Sequence, residues 1–118
     1  RDGKIDQDLL KEFGINYSEG LNRFKGNYKL YNDCLNKFLS KDRFSDLSKS
    51  IKEDELVKLL YKLYILYDDA SNLALTTLAS IVLKLIHTIQ DNNERDEDFI
   101  YSSNELISTY SKLIDALK

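Results

Sequence analysis

The sequence predicts an all-α domain: an antiparallel up-and-down four-helix bundle with a short N-terminal helix. Three observations lead to this prediction. The 118 residues contain no proline, and all four glycines precede residue 27, so little in the later chain breaks a helix. Apolar residues recur at steps of three and four in several long segments, whereas strand-like alternation is absent. The connections between these segments are short, as in up-and-down bundles.

Composition limits the possible functions. The formal net charge is -3 and the charges are interspersed, which argues against a nucleic-acid surface. No apolar run approaches the roughly 20 residues that span a bilayer, so we expect no direct membrane insertion. The single cysteine, Cys34, cannot form an internal disulfide and predicts a packed thiol in a reducing, cytoplasmic compartment. Because the chain lacks a starting methionine, we expect it to be a segment of a longer protein.

The N-terminal region contains the helix-ending glycines. We assign residues 1–13 to an N-terminal extension and residues 14–118 to the bundle. The extension carries a short predicted helix, Asp6 to Phe13, which Gly14 closes. Asn16 is the predicted cap of the next turn, which ends at Gly26.

The first long helix is predicted to begin after a cap at Asn27. A bend is expected near Lys41 to Arg43, after which Asp42 to Ser50 continues the helix. The predicted inward face consists of Leu30, Tyr31, Cys34, Leu35 and Phe38.

The central run, Glu55 to Leu78, begins with a core helix, and its polar stretch Asp68 to Asn72 predicts a bend. A further helix is expected from Ala74 to Gln90, then a polar loop from Asp91 to Asp98. The last helix, Ile100 to Leu117, places Ile100 in the core. The buried face of the central helix is predicted to contain Leu56, Leu59, Leu60, Leu63, Leu66, Tyr67, Ala70 and Leu73.

A second stripe of the central helix faces away from the core. At about 100° per residue, Val57, Tyr61, Tyr64 and Asp68 fall together on this stripe. Tyr61 and Tyr64 either cover the edge of the bundle or form an interaction surface, since exposed aromatic residues often anchor protein interfaces. We interpret Tyr67 as a core residue.

The residues from Leu63 to Leu78 resemble the signature of histidine phosphotransfer (HPt) domains, A-H-T-L-K-G-x-A-x-N-I-G-A-x-x-L. Leu66, Ala70, Asn72 and Leu78 match at their offsets, and Leu73 is a conservative replacement. The resemblance extends upstream, because Gly14 to Asn27 is similar to the entry of these domains. Tyr31, Leu35 and Phe38 continue the family spacing Y-x-x-x-L-x-x-F.

The signature departs from the family at its functional positions. Tyr64 stands where the family has the phosphorylated histidine, Tyr67 replaces the lysine, and Asp68 and Ala74 replace the two glycines. A phenol is protonated at pH 7 and is a poor substitute for a neutral imidazole. Asp68 and Asp69 also add negative charge where a receiver domain presents carboxylates. We therefore expect Tyr64 not to carry phosphate.

The resemblance implies a signalling module of a two-component phosphorelay or a multidomain sensor histidine kinase. We expect a pseudo-phosphotransfer domain that binds receiver or histidine kinase domains, in cis or in trans, through Val57, Tyr61, Tyr64 and Asp68. For this segment we expect no catalytic residue; the resemblance makes a sensor histidine kinase the expected type of parent protein. We expect the domain to lie in the cytoplasm, either by itself or as part of a membrane-bound sensor protein.

Two alternatives remain open: an active phosphotransfer protein that uses a non-standard residue, and a helical-bundle oligomerisation domain. His87 is the only histidine, and Ile86 to Asp91 weakly echoes the start of the signature. We interpret His87 as an ordinary exposed residue. No cofactor or metal site is expected, since one histidine and one cysteine far apart cannot form a usual transition-metal site.

Overall fold

The computed structural model describes residues 11–116, which are all-helical and contain no strand. The all-α prediction is confirmed for this part of the chain. The predicted helix from Asp6 to Phe13 lies largely outside the described residues, but Lys11 and Glu12 are helical. The six helices are α1 (Tyr17–Arg23), α2 (Tyr28–Phe38), α3 (Lys41–Glu53), α4 (Leu56–Asn72), α5 (Thr76–Asn92) and α6 (Glu97–Ala116).

Two asparagine caps start the first helices. The Asn16 side chain accepts a hydrogen bond from the Glu19 amide at 3.2 Å and begins α1. The Asn27 side chain accepts one from the Leu30 amide at 3.0 Å and begins α2. Both predicted caps are confirmed. Each satisfies an amide that lacks a partner within its own helix.

Helix α1 packs closely against α2 through a glycine. A Cβ atom added to Gly20 would lie 2.1 Å from the Tyr31 hydroxyl oxygen, so no larger residue fits without displacing the tyrosine. Tyr31 is completely buried, and its ring lies 5.4 Å from that of Tyr17 and 5.3 Å from that of Phe24. Tyr31 therefore joins the entry of the chain to the core.

The first long segment is broken earlier than predicted. Helix α2 ends at Phe38 and α3 begins at Lys41, so the expected bend at Lys41 to Arg43 is wrong by about two residues. The reason is local: Ser40 caps α3, and its hydroxyl accepts a hydrogen bond from the Arg43 amide at 3.2 Å. Serine in an extended conformation favours a new helix start at this point.

The predicted bend at Asp68 to Asn72 is also wrong. Helix α4 continues to Asn72, and the chain turns at the apolar residues Leu73–Leu75. Ala74 adopts a left-handed conformation, with φ 60°. The turn is buried and bonded to distant residues: Tyr31 donates to the Leu73 carbonyl at 2.7 Å, and the Asn16 amide donates to the Ala74 carbonyl at 2.9 Å. These contacts determine where the helix ends.

The predicted polar loop is shorter than Asp91 to Asp98. Helix α5 extends to Asn92 and ends at Asn93, which has φ 49°. Asp96 then accepts a hydrogen bond from the Phe99 amide at 2.9 Å, at the start of α6. Asparagine tolerates the left-handed region better than most residues, which explains the stop at Asn93.

The core forms between α2 and the four later helices. Helix α5 packs against α4 and α6, and α3 also packs against α4 and α6. The Tyr110 ring of α6 stacks on Phe38 at 5.5 Å, and its hydroxyl donates to the Phe38 carbonyl. The largest completely enclosed side chains include Leu35, Leu59, Leu63, Leu78, Leu85, Ile86, Leu106 and Leu113.

Two predicted core residues face outward. Leu30 is 48% exposed and Ile100 is 52% exposed. In each case a neighbour occupies the inward position, Tyr31 in α2 and Phe99 in α6. Because adjacent residues on a helix are about 100° apart, the neighbour's burial turns Leu30 and Ile100 toward the surface.

Candidate functional site

Helix α4 presents its outer stripe to the surface. The residues predicted for this stripe, Val57, Tyr61, Tyr64 and Asp68, are all exposed. The opposite face of α4 is fixed in the core by Leu59, Leu63, Leu66 and Ala70, which are all buried. The 3.6-residue repeat of the helix therefore keeps the four exposed side chains on one side.

Tyr64 lies at the border between α4 and α5. Its side chain is 40% exposed, and its hydroxyl oxygen accepts a hydrogen bond from the Gln90 side-chain amide. Tyr61 is more accessible, with an exposed fraction of 69%, and Val57 is similarly exposed at 64%. Tyr67 packs partly buried against the core, as predicted. The outer stripe thus combines one anchored tyrosine with two freely accessible apolar groups.

Ile65 and Gln90 were not predicted as part of this surface. Ile65 is exposed and lies four residues after Tyr61, so it widens the apolar stripe. That spacing was a usable signal in the sequence. Gln90 reaches the site only because α5 packs beside α4, and nothing in its local sequence indicates this contact.

A charged network lies on the other border of α4, facing α3. The Lys62 ammonium donates to the Ser50 hydroxyl at 2.6 Å and lies 3.2 Å from Asp54 and 3.6 Å from Asp46. The neighbouring Ser50 hydroxyl, and then the Lys62 ammonium, lower the pKa of Asp54 below its ordinary value. The network holds the end of α3 beside the start of α4.

The two adjacent carboxylates of α4 have different surroundings. Asp69 forms an ion pair with Arg43 at 2.6 Å, and the Arg43 guanidinium also lies 4.7 Å from the centre of the Phe38 ring. Asp68 is exposed, and its carboxylate makes no ion pair or hydrogen bond within residues 11–116. The outer stripe therefore carries one uncompensated negative charge near its C-terminal end.

The other candidate residues are on helices other than α4 and are not part of its exposed stripe. His87 is exposed on α5. Cys34 is half-buried and lines a groove of about 280 Å³ with Phe24, Phe38 and Leu73. Among residues 11–116, no group of three or more histidine, cysteine or acidic residues is arranged to hold a metal ion. In the same part of the chain, no helix has both the length and the apolar character needed to cross a membrane.

Comparison with known proteins found no matching family model, no matching curated protein and no matching solved structure. The functional argument therefore depends on the residues and contacts of this chain.

Proposed function

We propose that this chain is an HPt-like pseudo-phosphotransfer domain, which binds receiver or histidine kinase domains without carrying phosphate. In this proposal α3, α4, α5 and α6 form the antiparallel up-and-down four-helix bundle of the family. The packing partners support this arrangement, because each of these four helices contacts two of the others in a closed ring. Helices α1 and α2 precede that ring in the chain.

The observation that carries the proposal is the backbone of the α4–α5 turn. In the HPt signature the second glycine falls at position 74, and this chain has alanine there. Ala74 nevertheless adopts φ 60°, a conformation that glycine favours and alanine rarely enters. This conformation supports the proposed likeness to the signature. Under that alignment Tyr64 stands at the histidine position, on the exposed side of α4.

The chemistry around Tyr64 supports binding without phosphoryl transfer. A phenol needs an adjacent base to become a nucleophile near pH 7. The group that contacts the Tyr64 hydroxyl is the Gln90 amide, which donates a hydrogen bond and cannot accept a proton at that pH. Position 67, where the signature has a lysine, is Tyr67 in this chain. The exposed aromatic and apolar groups are instead suited to protein contact.

Binding to purified receiver domains tests the proposal. Isothermal titration against a panel of receiver domains should identify a partner, and Tyr61→Ala with Tyr64→Ala should weaken that complex at least tenfold. The matched control is Ile100→Ala with Tyr101→Ala, since these residues are similarly exposed but lie on α6. Circular dichroism should show unchanged helicity in both variants.

Two outcomes contradict the proposal. In one, no receiver or kinase domain binds. In the other, the α4 and α6 variants bind as well as the parent.

One observation favours an alternative, active phosphotransfer through His87. His87 precedes Gln90 by three residues, which places it about 60° around α5 and about 4.5 Å along its axis. Because Gln90 contacts Tyr64, the only histidine lies on the side of α5 that adjoins the candidate surface. This alternative requires a phosphoryl label that His87→Ala removes.

A further inference from the structure

The outer side of α4 carries a continuous apolar ridge. Val57, Tyr61 and Ile65 follow one another at four-residue intervals and are 64%, 69% and 59% exposed. Residues at this spacing lie one above another on a helix. The ridge lies between the border with α5, marked by Tyr64, and the border with α3, marked by Lys62. Contiguous exposed apolar groups of this kind indicate an interaction site.

The two ends of the ridge carry opposite charges. Lys58 lies near its N-terminal end; its side chain is 68% exposed and approaches Asp54 only to 3.9 Å. Asp68 lies near its C-terminal end and has no ion-pair partner within the described part of the chain. Ten residues of helix separate them, about 15 Å along the axis. Leu63 lies midway between them.

We propose that the chain forms a symmetric dimer in which two copies of α4 pack antiparallel about a two-fold axis at the level of Leu63. In this register Tyr61 of one copy faces Ile65 of the other. Lys58 likewise lies level with Asp68 of the other copy. A two-fold interface uses the same patch twice, so it requires a surface complementary to itself. The ridge meets this requirement in both its apolar centre and its charged ends.

The charge pattern at the two ends of the ridge favours a second copy of the chain as the occupant. A nucleic acid or an anionic membrane surface would repel the exposed Asp68 carboxylate. A uniformly acidic protein would pair with Lys58 and leave the same repulsion at Asp68. The antiparallel dimer pairs both charges twice. Because the ridge contains only three large apolar side chains per copy, we expect a small interface and a weak, concentration-dependent dimer.

The dimer does not depend on the proposed function, since it forms without a receiver or kinase domain. It would nevertheless cover Val57 and Tyr61. Self-association and partner binding would then compete for one surface.

Charge reversal and mixing test the dimer. Sedimentation velocity at low ionic strength should show a monomer–dimer equilibrium for the parent across micromolar to millimolar concentrations. Lys58→Asp and Asp68→Lys each place like charges opposite one another twice, so each should raise the dimer dissociation constant at least tenfold. An equimolar mixture of the two variants restores both attractive pairs in a heterodimer and should dimerise like the parent. Lys112→Asp, an exposed charge reversal on α6, is the control and should have no effect.

Several results would overturn the dimer. A parent that stays monomeric at every concentration excludes it. A dimer that neither charge reversal weakens uses another surface. Weakened variants that do not recover on mixing show that the two charges do not face each other.

Discussion

Replacing Ala74 with glycine measures the strain in the buried turn between α4 and α5. A left-handed conformation such as that of Ala74, φ 60°, costs a residue with a Cβ about 1–2 kcal/mol. Glycine removes this cost. It also loses one buried methyl group, about 0.8 kcal/mol, and adds about 0.4–1 kcal/mol of freedom to the unfolded chain. The terms nearly cancel, so we expect Ala74→Gly to stay within about 1 kcal/mol of the parent in unfolding free energy.

The matched control is Ala70→Gly. Ala70 is also buried but lies inside α4 in ordinary helical conformation. It loses a methyl group of the same size and about 1 kcal/mol of helix propensity, with no strain to release, so we expect a loss of about 2 kcal/mol. Urea unfolding followed by circular dichroism measures both variants. If Ala74→Gly is as destabilising as Ala70→Gly, position 74 is not strained and the likeness of this turn to the HPt glycine is refuted.

Two further substitutions test contacts of the fold. Tyr31→Phe leaves the buried Leu73 carbonyl without its donor and should lower the unfolding free energy by about 1–3 kcal/mol. Tyr28→Phe removes a hydroxyl that makes no hydrogen bond in the described structure, so the unfolding free energy should be unchanged or higher. An equal loss of unfolding free energy in Tyr28→Phe and Tyr31→Phe would contradict this reasoning. Folding lowers the pKa of Asp54. Its carboxylate therefore stabilises the fold above the ordinary aspartate pKa, and this stabilisation is lost as the pH falls through the pKa of Asp54 in the folded state. Asp54→Asn should therefore flatten the acidic side of the stability profile in urea unfolding, whereas an unchanged slope would contradict the assigned shift.

Local sequence was sufficient for the starts of α1 and α2 and for most of the core. Asn16 and Asn27 cap helices through contacts three residues away, so the information lies within each short segment. The buried residues Leu59, Leu63 and Leu66 likewise follow the helical repeat directly. Helix caps and the buried face of a helix depend on residues that are close together in the sequence.

The turn at Leu73–Leu75 could not be predicted in this way. It contains no glycine or proline, and its apolar residues continue the core pattern of α4. Its position is stabilised by Tyr31 and Asn16, which lie more than 40 residues earlier. A sequence window around the turn contains neither partner.

In the candidate site, too, some features follow from local sequence and others depend on contacts between helices. The exposure of Val57, Tyr61 and Tyr64 follows from the phase of α4, which the sequence reveals. The contact between Tyr64 and Gln90 depends on the packing of α5 beside α4. The network of Lys62 with Ser50 and Asp54 similarly depends on α3. Helical phase is local information, whereas contacts between helices are not.

Phosphoryl transfer from a receiver domain tests the central claim most directly. Receiver domains that bind the chain would be phosphorylated with acetyl phosphate and incubated with the parent, Tyr64→Phe and His87→Ala. We predict that the parent binds the receiver and retains no label, because a phenol held by the Gln90 amide lacks a base. A stable label on the parent that disappears in Tyr64→Phe or in His87→Ala would contradict the account.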